Sequence, residues 1–208
     1  MQQLFQRLRQ TAPNDITYLI AGLGNPGRKY RNNRHNIGFM AADRLASRLG
    51  CEFTRLQQKA LVCDARLDGR KIILAKPQTY MNNSGQAIGA LVRFYKIPLE
   101  NLLVIYDDVD LPFGTLRLRP AGGSGGQKGM QSIIQHLHSE QFPRLRLGIG
   151  RPPGRMQTAD YVLQDFPQSQ AEELEIMLER AADAALLFIE QGIEAAMTRY
   201  NRSPHDGS

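Results

Sequence analysis

The feature that most constrains the fold of this chain is the alternation of short apolar runs with amphipathic segments of helical spacing. We predict strands at residues 16–21, 60–67, 71–76, 102–106, 115–119 and 145–149. Helical spacing marks residues 36–49, a segment from Asn83 or Ser84 to Pro98, a segment after the glycine-rich turn 122–126, and residues 168–200 with a break at Gly192. Because strands and helices are mixed throughout, we expect a single-domain three-layer α/β/α sandwich with a twisted mixed sheet.

The length and charge of the chain suggest one domain with a polyanionic partner. We place that domain at residues 16–200, between a flexible extension (1–15) and a flexible tail (201–208). Residues 1–159 hold 23 Lys and Arg against 10 Asp and Glu, a net charge of +13, whereas residues 160–208 hold 3 against 10, a net charge of −7. The basic body favours nucleic acid as the partner, although a solvated basic surface has the same composition.

The sequence carries no signal for a membrane span, for export or for a metal site. No apolar run approaches the roughly 18 residues of a transmembrane helix, and residues 1–14 lack the apolar core of a secretory signal. Cys51 and Cys63 are the only cysteines, and neither lies in a CxxC or Cys/His cluster. We expect a cytoplasmic protein with two buried, reduced thiols and no metal or cofactor. Residues 1–14 carry Arg7 and Arg9 and no acidic group, which leaves a weak organelle-targeting alternative open.

The first glycine-rich turn, residues 22–27 (GLGNPG), formally matches the dinucleotide fingerprint GxGxxG. That fingerprint requires a helix that begins at the glycines, so that its N-terminus can bind a pyrophosphate. Here Pro26 and the polar residues 28–34 delay the helix. About 20 residues further on, where an acidic residue should end a second apolar strand, Glu52 follows a helix instead. The turn therefore does not predict a nucleotide site.

The second glycine-rich turn, residues 122–126 (GGSGG), formally matches the GxSxG nucleophile elbow of serine hydrolases. An elbow needs a strand that runs directly into the serine, but residues 120–123 (PAGG) interrupt that path to Ser124. A flexible loop, or a backbone surface that a ligand approaches closely, explains the glycines equally well. A serine esterase built on Ser124 stays open as one alternative.

His35 and Asp107 are the two residues that the topology can bring together. His35 follows the first strand and its turn, and Asp107 ends the buried strand 102–106, where sites in open α/β sheets gather. If those strands are neighbours, both side chains emerge at one edge of the sheet. A carboxylate against one ring nitrogen fixes the tautomer and leaves the other nitrogen free to accept a proton from water. Such a pair would let His35 act as a general base that Asp107 orients, whereas a lone histidine is more often structural.

Five blocks of the sequence resemble bacterial-type peptidyl-tRNA hydrolases in order and spacing. They are residues 22–30 (GLGNPGRKY), 34–38 (RHNIG), 76–85 (KPQTYMNNSG), 107–114 (DDVDLPFG), and the glycine-rich turn together with 142–152 (FPRLRLGIGRP). The resemblance spans about residues 16–200. It implies a monomeric, metal-free α/β enzyme that hydrolyses the ester between peptide and tRNA, with His35 as the base and Asp107 as its partner.

The resemblance also implies roles for residues around that pair. It implies that four residues bind the substrate: Asn25, Tyr30, Tyr80 and Asn82. Asparagine suits a peptide because it offers both donors and acceptors, and a donor aimed at the oxyanion would stabilise the transition state. Four basic residues are expected to help bind the phosphates of tRNA: Arg117, Arg119, Lys128 and Arg146.

One pair of residues departs from the family pattern. After the glycine-rich turn the family usually has His-Asn-Gly, whereas this chain has Gln127-Lys128-Gly129. The substrate contact made by the family's asparagine is therefore not carried over to this chain. Lysine cannot accept a hydrogen bond but can offer its charge to a phosphate. We hypothesise that Lys128 shifts this wall of the cleft from amide recognition toward phosphate contact.

The same departure favours an alternative function, a non-catalytic RNA-binding protein on the same fold. The presence of Asn25, His35, Asn82 and Asp107 together argues against it, because pure binding has no use for a poised base.

Overall fold

The structure, a computed structural model that describes residues 16–201, has a seven-stranded sheet at its centre. The strands are Thr17–Gly22 (β1), Arg55–Gln57 (β2), Ala60–Leu67 (β3), Arg70–Pro77 (β4), Leu102–Asp108 (β5), Leu116–Arg119 (β6) and Arg144–Gly148 (β7). Their order across the sheet is β2-β3-β4-β1-β5-β7-β6. β1 pairs in parallel with β4 and β5, and β5 with β7, whereas the outer pairs are antiparallel. The sheet is therefore mixed, as predicted.

Helices cover both faces of this sheet. They are Ile37–Leu49 (α1), Ser84–Tyr95 (α2), Lys128–Leu137 (α3), Thr158–Val162 (α4), Ala171–Gln191 (α5) and Ile193–Tyr200 (α6). Ile20 and Ile105 point into an apolar layer with α1, α5 and α6, while their neighbours Leu19 and Val104 point into a layer with α2 and α3. This alternation follows from the two-residue period of a strand, and it confirms the three-layer α/β/α sandwich.

The six predicted strands are all present, and the structure adds two short elements. The Asp68-Gly69 turn joins β3 and β4 as a hairpin, and the break at Gly192 separates α5 from α6. β2 and α4 were not predicted, because elements of three and five residues are too short to show a period. The expected extension lies outside the described residues, as does the expected tail except for residue 201.

The part of the chain that the structure describes contains neither a membrane-spanning helix nor a disulfide bond. Within it, no helix combines the length and apolar character that crossing a membrane requires. Cys51 and Cys63 are free thiols with 2.7 Å between their Sγ atoms. Cys63 is buried, and this burial raises the pKa of its thiol. Cys51 is only half-buried, because it follows the C-terminus of α1.

Two glycines allow the first turn of α1 to pack directly on the ends of β1 and β5. A Cβ atom at Gly38 would overlap the carbonyl oxygen of Ile105 and lie 2.5 Å from the backbone nitrogen of Leu23. A Cβ atom at Gly22 would overlap the carbonyl of Gly38 in turn. The absence of both side chains is what lets the start of the helix approach the two strands.

Substitution of Gly38 by alanine should therefore lower the free energy of unfolding by about 1–3 kcal/mol, because backbone would have to shift around the new methyl group. Denaturant unfolding monitored by circular dichroism would measure the change. Gly123→Ala is the matched control, since the atom nearest to its Cβ is 3.6 Å away, at Glu140. Equal stabilities of the two variants would contradict this account of α1 packing.

Candidate active site

The imidazole of His35 and the carboxylate of Asp107 meet at one edge of the sheet. β1 and β5 are parallel neighbours with Gly22 opposite Ile105, so the chain leaves both strands on the same side. His35 lies in the 3₁₀ turn Arg34–Asn36 immediately before α1, and Asp107 lies at the end of β5. The distance between His35 Nδ1 and Asp107 Oδ2 is 2.8 Å. The structure thus brings the expected pair into direct contact.

This contact selects one tautomer of the histidine. A carboxylate can only accept hydrogen bonds, so Nδ1 of His35 carries the proton and donates it to Asp107. Nε2 then has a lone pair that can take a proton from water. The Asp107 side chain is 3% exposed and that of His35 is 14% exposed, so the pair is shielded while the ring stays reachable. The arrangement suits a general base with an orienting carboxylate.

A cavity of about 730 Å³ opens beside the pair. Six of the predicted site residues line it: Asn25, His35, Tyr80, Asn82, Asp107 and Lys128. Val109, Val162 and Leu163 add an apolar part of the wall. The cavity therefore combines a possible base, amide groups and an apolar surface, which is the usual composition of a ligand site.

Tyr30 is the predicted substrate residue that does not line this cavity. After Gly27, which has a φ of 107°, the chain forms a separate 3₁₀ turn over Arg28–Tyr30. That turn places the Tyr30 ring against the ammonium group of Lys29, 4.7 Å from the ring centre. Tyr30 is therefore not among the residues that line this cavity, and its role toward the substrate stays a prediction.

Asn25 is locked in place by neighbours that the sequence did not single out. Its backbone N–H donates to Asn36 Oδ1 (2.8 Å), and Asn36 Nδ2 donates to the Asn25 carbonyl (2.9 Å). The backbone N–H of Met81 donates to Asn25 Oδ1 (2.8 Å). Among residues 16–201, Nδ2 of Asn25 has no hydrogen-bond partner of its own. Its two N–H groups are therefore available to a ligand at the cavity wall.

Arg34, the residue before His35, holds the segment that contains α4 against the cavity. Its buried guanidinium lies 4.3 Å from the ring centre of Tyr161 and 5.4 Å from that of Phe166. It also donates to the carbonyl of Asp165 (2.9 Å), and Asn33 Nδ2 donates to the carboxylate of Asp165 (2.6 Å). Because α4 lies in the segment held this way, its cavity-lining residues keep a defined position beside His35.

The three arginines expected to contact phosphate lie along the β6–β7 edge. Arg117 and Arg119 of β6 alternate with two leucines whose side chains are buried in the apolar layer with α1, α5 and α6. Arg117 is in register with Arg146 of β7. Arg146 is half-buried, and its Nε donates to Asp108 at 2.5 Å, so its charge is already paired. Arg119 is exposed. Because Asp108 also lines the cavity, this basic edge adjoins the candidate site.

Arg144, on the same face of β7, has a different environment from Arg146. It is 2% exposed, and burial lowers the pKa of its guanidinium. It donates to the backbone carbonyls of Gly122, Gly123 (3.1 Å) and Glu140 (2.9 Å). This buried cation therefore holds the glycine-rich turn that precedes α3, a role that its sequence pattern does not reveal.

Comparison with known proteins decides the family. The family model described as peptidyl-tRNA hydrolase matches residues 19–207. The chain belongs to this family. It is 52% identical over 184 residues to the peptidyl-tRNA hydrolase of Thermoanaerobacter sp. (strain X514), an alignment that covers 88% of this chain and 99% of the relative.

Two further comparisons extend this assignment. The chain is 46% identical over 202 residues to the chloroplastic peptidyl-tRNA hydrolase of Arabidopsis thaliana, which covers 97% of this chain and 70% of the relative. The crystal structure of peptidyl-tRNA hydrolase from Acinetobacter baumannii superposes with a TM-score of 0.84 at 31% identity, covering 91% of this chain and 97% of the other. The fold is therefore that of solved peptidyl-tRNA hydrolases.

The two residues that depart from the family pattern both line the cavity. Lys128 is the first residue of α3 and is exposed. Gln127 caps the same helix, since its Oε1 accepts a hydrogen bond from the backbone N–H of Met130 (2.8 Å). Its Nε2 donates to Asp107 Oδ1 (3.0 Å). This last contact, which sequence reasoning missed, connects Gln127, one of the two residues that differ from the family pattern, directly to the pair of His35 and Asp107.

Ser124 lines the cavity of this peptidyl-tRNA hydrolase homologue, but it does not lie in the strand–turn–helix arrangement of a serine-hydrolase nucleophile elbow. β6 ends at Arg119, so no strand runs into the serine. The Ser124 Oγ accepts a hydrogen bond from the backbone N–H of Gly126 (3.3 Å). Among residues 16–201, His35 is the one histidine that lines the cavity, and it is engaged with Asp107. This geometry does not support a serine esterase.

Proposed function

We propose that this chain hydrolyses the ester bond between peptide and tRNA in peptidyl-tRNA, with His35 as the general base and Asp107 as the group that orients it. The observation that carries the proposal is the 2.8 Å contact between His35 and Asp107 at the wall of a cavity, in a chain of the peptidyl-tRNA hydrolase family. The RNA-binding alternative is not favoured, because the pair and the amide residues around it are assembled for catalysis.

The reaction begins when a water molecule loses a proton to Nε2 of His35 and attacks the ester carbonyl. Asp107 stabilises the imidazolium that forms, and base action of this type contributes roughly 10²–10⁴-fold to the rate. The carbonyl oxygen becomes negatively charged in the tetrahedral intermediate. When the intermediate collapses, the bond to the ribose oxygen breaks and the proton returns from His35 to that oxygen. The products are free tRNA and a peptide carboxylic acid, which releases its proton to solvent and becomes a carboxylate.

The amide groups and the apolar wall are proposed to hold the peptide side of the substrate. The Nδ2 group of Asn25 has no partner within residues 16–201, so it is a suitable donor to a carbonyl or to the developing oxyanion. Asn82 is exposed at the cavity wall and offers both a donor and an acceptor. The ring of Tyr80 is 58% exposed and, with Leu163, provides surface for an aliphatic or aromatic side chain.

The basic edge is proposed to hold the tRNA side. Arg119 is exposed, and Arg117 and Arg146 adjoin it on the same face, so phosphates that approach the cavity along this edge would meet several cations. Lys128 stands at the cavity itself. By family resemblance we further propose that the chain acts as a monomer in the cytoplasm and binds no membrane.

Hydrolysis of N-acetyl-aminoacyl-tRNA by the wild-type chain and by Ser124→Ala tests this function. We expect release of free tRNA by both proteins. Binding of the tRNA without hydrolysis would support the RNA-binding alternative. Activity of the wild type that is lost in Ser124→Ala, together with labelling of the serine by an active-site serine reagent, would support the esterase alternative.

The Lys128→Asn substitution tests the phosphate role of Lys128. Loss of one phosphate contact should reduce the slope of log Kd against log salt concentration by about 0.7–0.9, and KM should rise. Equilibrium binding of tRNA at several potassium chloride concentrations would measure the slope. Arg199→Gln is the control, because Arg199 is exposed on α6, which packs on the opposite face of the sheet. An unchanged slope and KM for Lys128→Asn would refute the hypothesis.

A further inference from the structure

Gln127 uses all its side-chain polar groups on protein atoms. Its Oε1 accepts from the backbone N–H of Met130 (2.8 Å). Its Nε2 donates to Asp107 Oδ1 (3.0 Å) and approaches Met81 Sδ (3.3 Å). Because a backbone N–H can only donate and a carboxylate can only accept, the orientation of the amide is determined by its partners. Although Gln127 lines the cavity, little of its hydrogen-bonding capacity is left for a substrate.

The Asp107 carboxylate receives one donor on each oxygen. Oδ2 accepts from His35 Nδ1 (2.8 Å), and Oδ1 accepts from Gln127 Nε2 (3.0 Å). The side chain is 3% exposed, so water cannot easily replace a lost donor. Without the Gln127 donor, His35 alone would hold the buried carboxylate, so the rotamer of Asp107 and the orientation of the ring would be less tightly fixed.

The backbone around Gln127 is arranged to admit the amide at this point. A Cβ atom on Gly129 would lie 3.0 Å from Gln127 Oε1 and 2.5 Å from Met81 Sδ. With glycine at residue 129, the side chains of Gln127 and Met81 occupy this space beside the first turn of α3 without having to move. Gln127 thus lies between the N-terminus of α3 and the Asp107 carboxylate, and its hydrogen bonds to both fix its position.

We infer that Gln127 is a positioning residue for hydrolysis: its amide holds Asp107 in the rotamer that orients His35. The inference rests on the proposed function, since it concerns the base of that reaction. Gln127 acts through Asp107 and not on the substrate, so its loss is expected to change kcat and to leave KM nearly unchanged.

Gln127→Glu is the sharpest test, because glutamate has nearly the same shape and keeps the acceptor that caps α3. It replaces the N–H donor with a second carboxylate oxygen about 3 Å from Asp107, and two such carboxylates repel or share one proton. We expect kcat for N-acetyl-aminoacyl-tRNA to fall by about 10–100-fold, a typical effect of removing a group that orients a reacting residue. The melting temperature should fall, because the two carboxylates repel each other in the folded state, although the cap on α3 is retained.

Two further variants separate positioning from charge and from folding. Gln131→Glu makes the same chemical change on an exposed residue of α3 outside the cavity wall, so its kcat should equal that of the wild type. Gln127→Met removes the donor without adding charge. It should also lower kcat, and it should lower the melting temperature by about 2–4 °C through loss of the cap. If Gln127→Glu does not fold, Gln127→Met alone decides.

The outcomes distinguish this inference from the proposed function. A wild-type chain with no hydrolytic activity would overturn the proposed function, and this inference with it. An active wild type with an unchanged kcat in the folded Gln127 variants would overturn the inference alone. A rise in KM at constant kcat would also overturn it, because Gln127 would then contact the substrate. A fall in kcat at nearly constant KM, absent from Gln131→Glu, is the predicted result.

Discussion

His35→Ala should lower kcat for hydrolysis of N-acetyl-aminoacyl-tRNA by about 10²–10⁴-fold, which is the usual contribution of a general base. The variant keeps the cavity, the amide residues and the basic edge, so its affinity for substrate should change little. Steady-state release of tRNA at saturating substrate would measure the loss, and equilibrium binding would show that the substrate still binds.

The fold should tolerate this change, because the His35 side chain is at the cavity wall and outside both apolar layers. His138→Asn is the matched control. His138 is an exposed histidine with a φ of 52°, a conformation that asparagine adopts readily. A His35→Ala variant with kcat close to the wild type would show that another group activates the water.

Asp107→Asn has the second-largest expected effect, a fall in kcat on the order of 10²-fold. Two N–H donors, from His35 and Gln127, meet the two carboxylate oxygens of Asp107. An asparagine has only one oxygen and so can accept from only one of them. If the oxygen faces Gln127, the new NH₂ group donates to Nδ1 of His35, and the ring proton moves to Nε2. That nitrogen then cannot accept a proton from water.

Steady-state kinetics would separate this effect from a change in binding, since KM should stay nearly constant. Asp110→Asn is a suitable control, because Asp110 lies in the turn just after β5 but is exposed and paired with Arg151. Full activity of Asp107→Asn would mean that the orientation of His35 does not depend on the carboxylate.

The sequence predicted the meeting of His35 and Asp107 on the condition that their two strands are neighbours, and the structure meets that condition. The runs 16–21 and 102–106 are mostly apolar and of strand length, so both were recognisable as strands, and their parallel arrangement as neighbours brings their ends to one edge. The periodic helices were predicted for the same reason. In each of these elements the apolar residues follow a regular pattern over several consecutive positions, and this pattern can be recognised in the sequence.

The contacts that complete the site could not be predicted, because they depend on single side chains in irregular segments. The amide of Gln127 reaches Asp107 across 20 positions of sequence, and only the course of the glycine-rich turn determines this. Arg144 and Arg146 occupy equivalent positions in an alternating strand. One is buried under backbone carbonyls and the other pairs with Asp108. Their difference arises from the loops that cover the strand and not from the strand itself.

The most direct test of the account is a double-mutant cycle of His35→Ala and Asp107→Asn, measured as kcat/KM for N-acetyl-aminoacyl-tRNA. If Asp107 acts only by orienting His35, the carboxylate has no catalytic role once the imidazole is gone. Adding Asp107→Asn to His35→Ala should then change kcat/KM by less than about twofold. Losses that multiply, so that the double variant is lower by the product of the two single effects, would contradict the claim that the two residues form one catalytic unit.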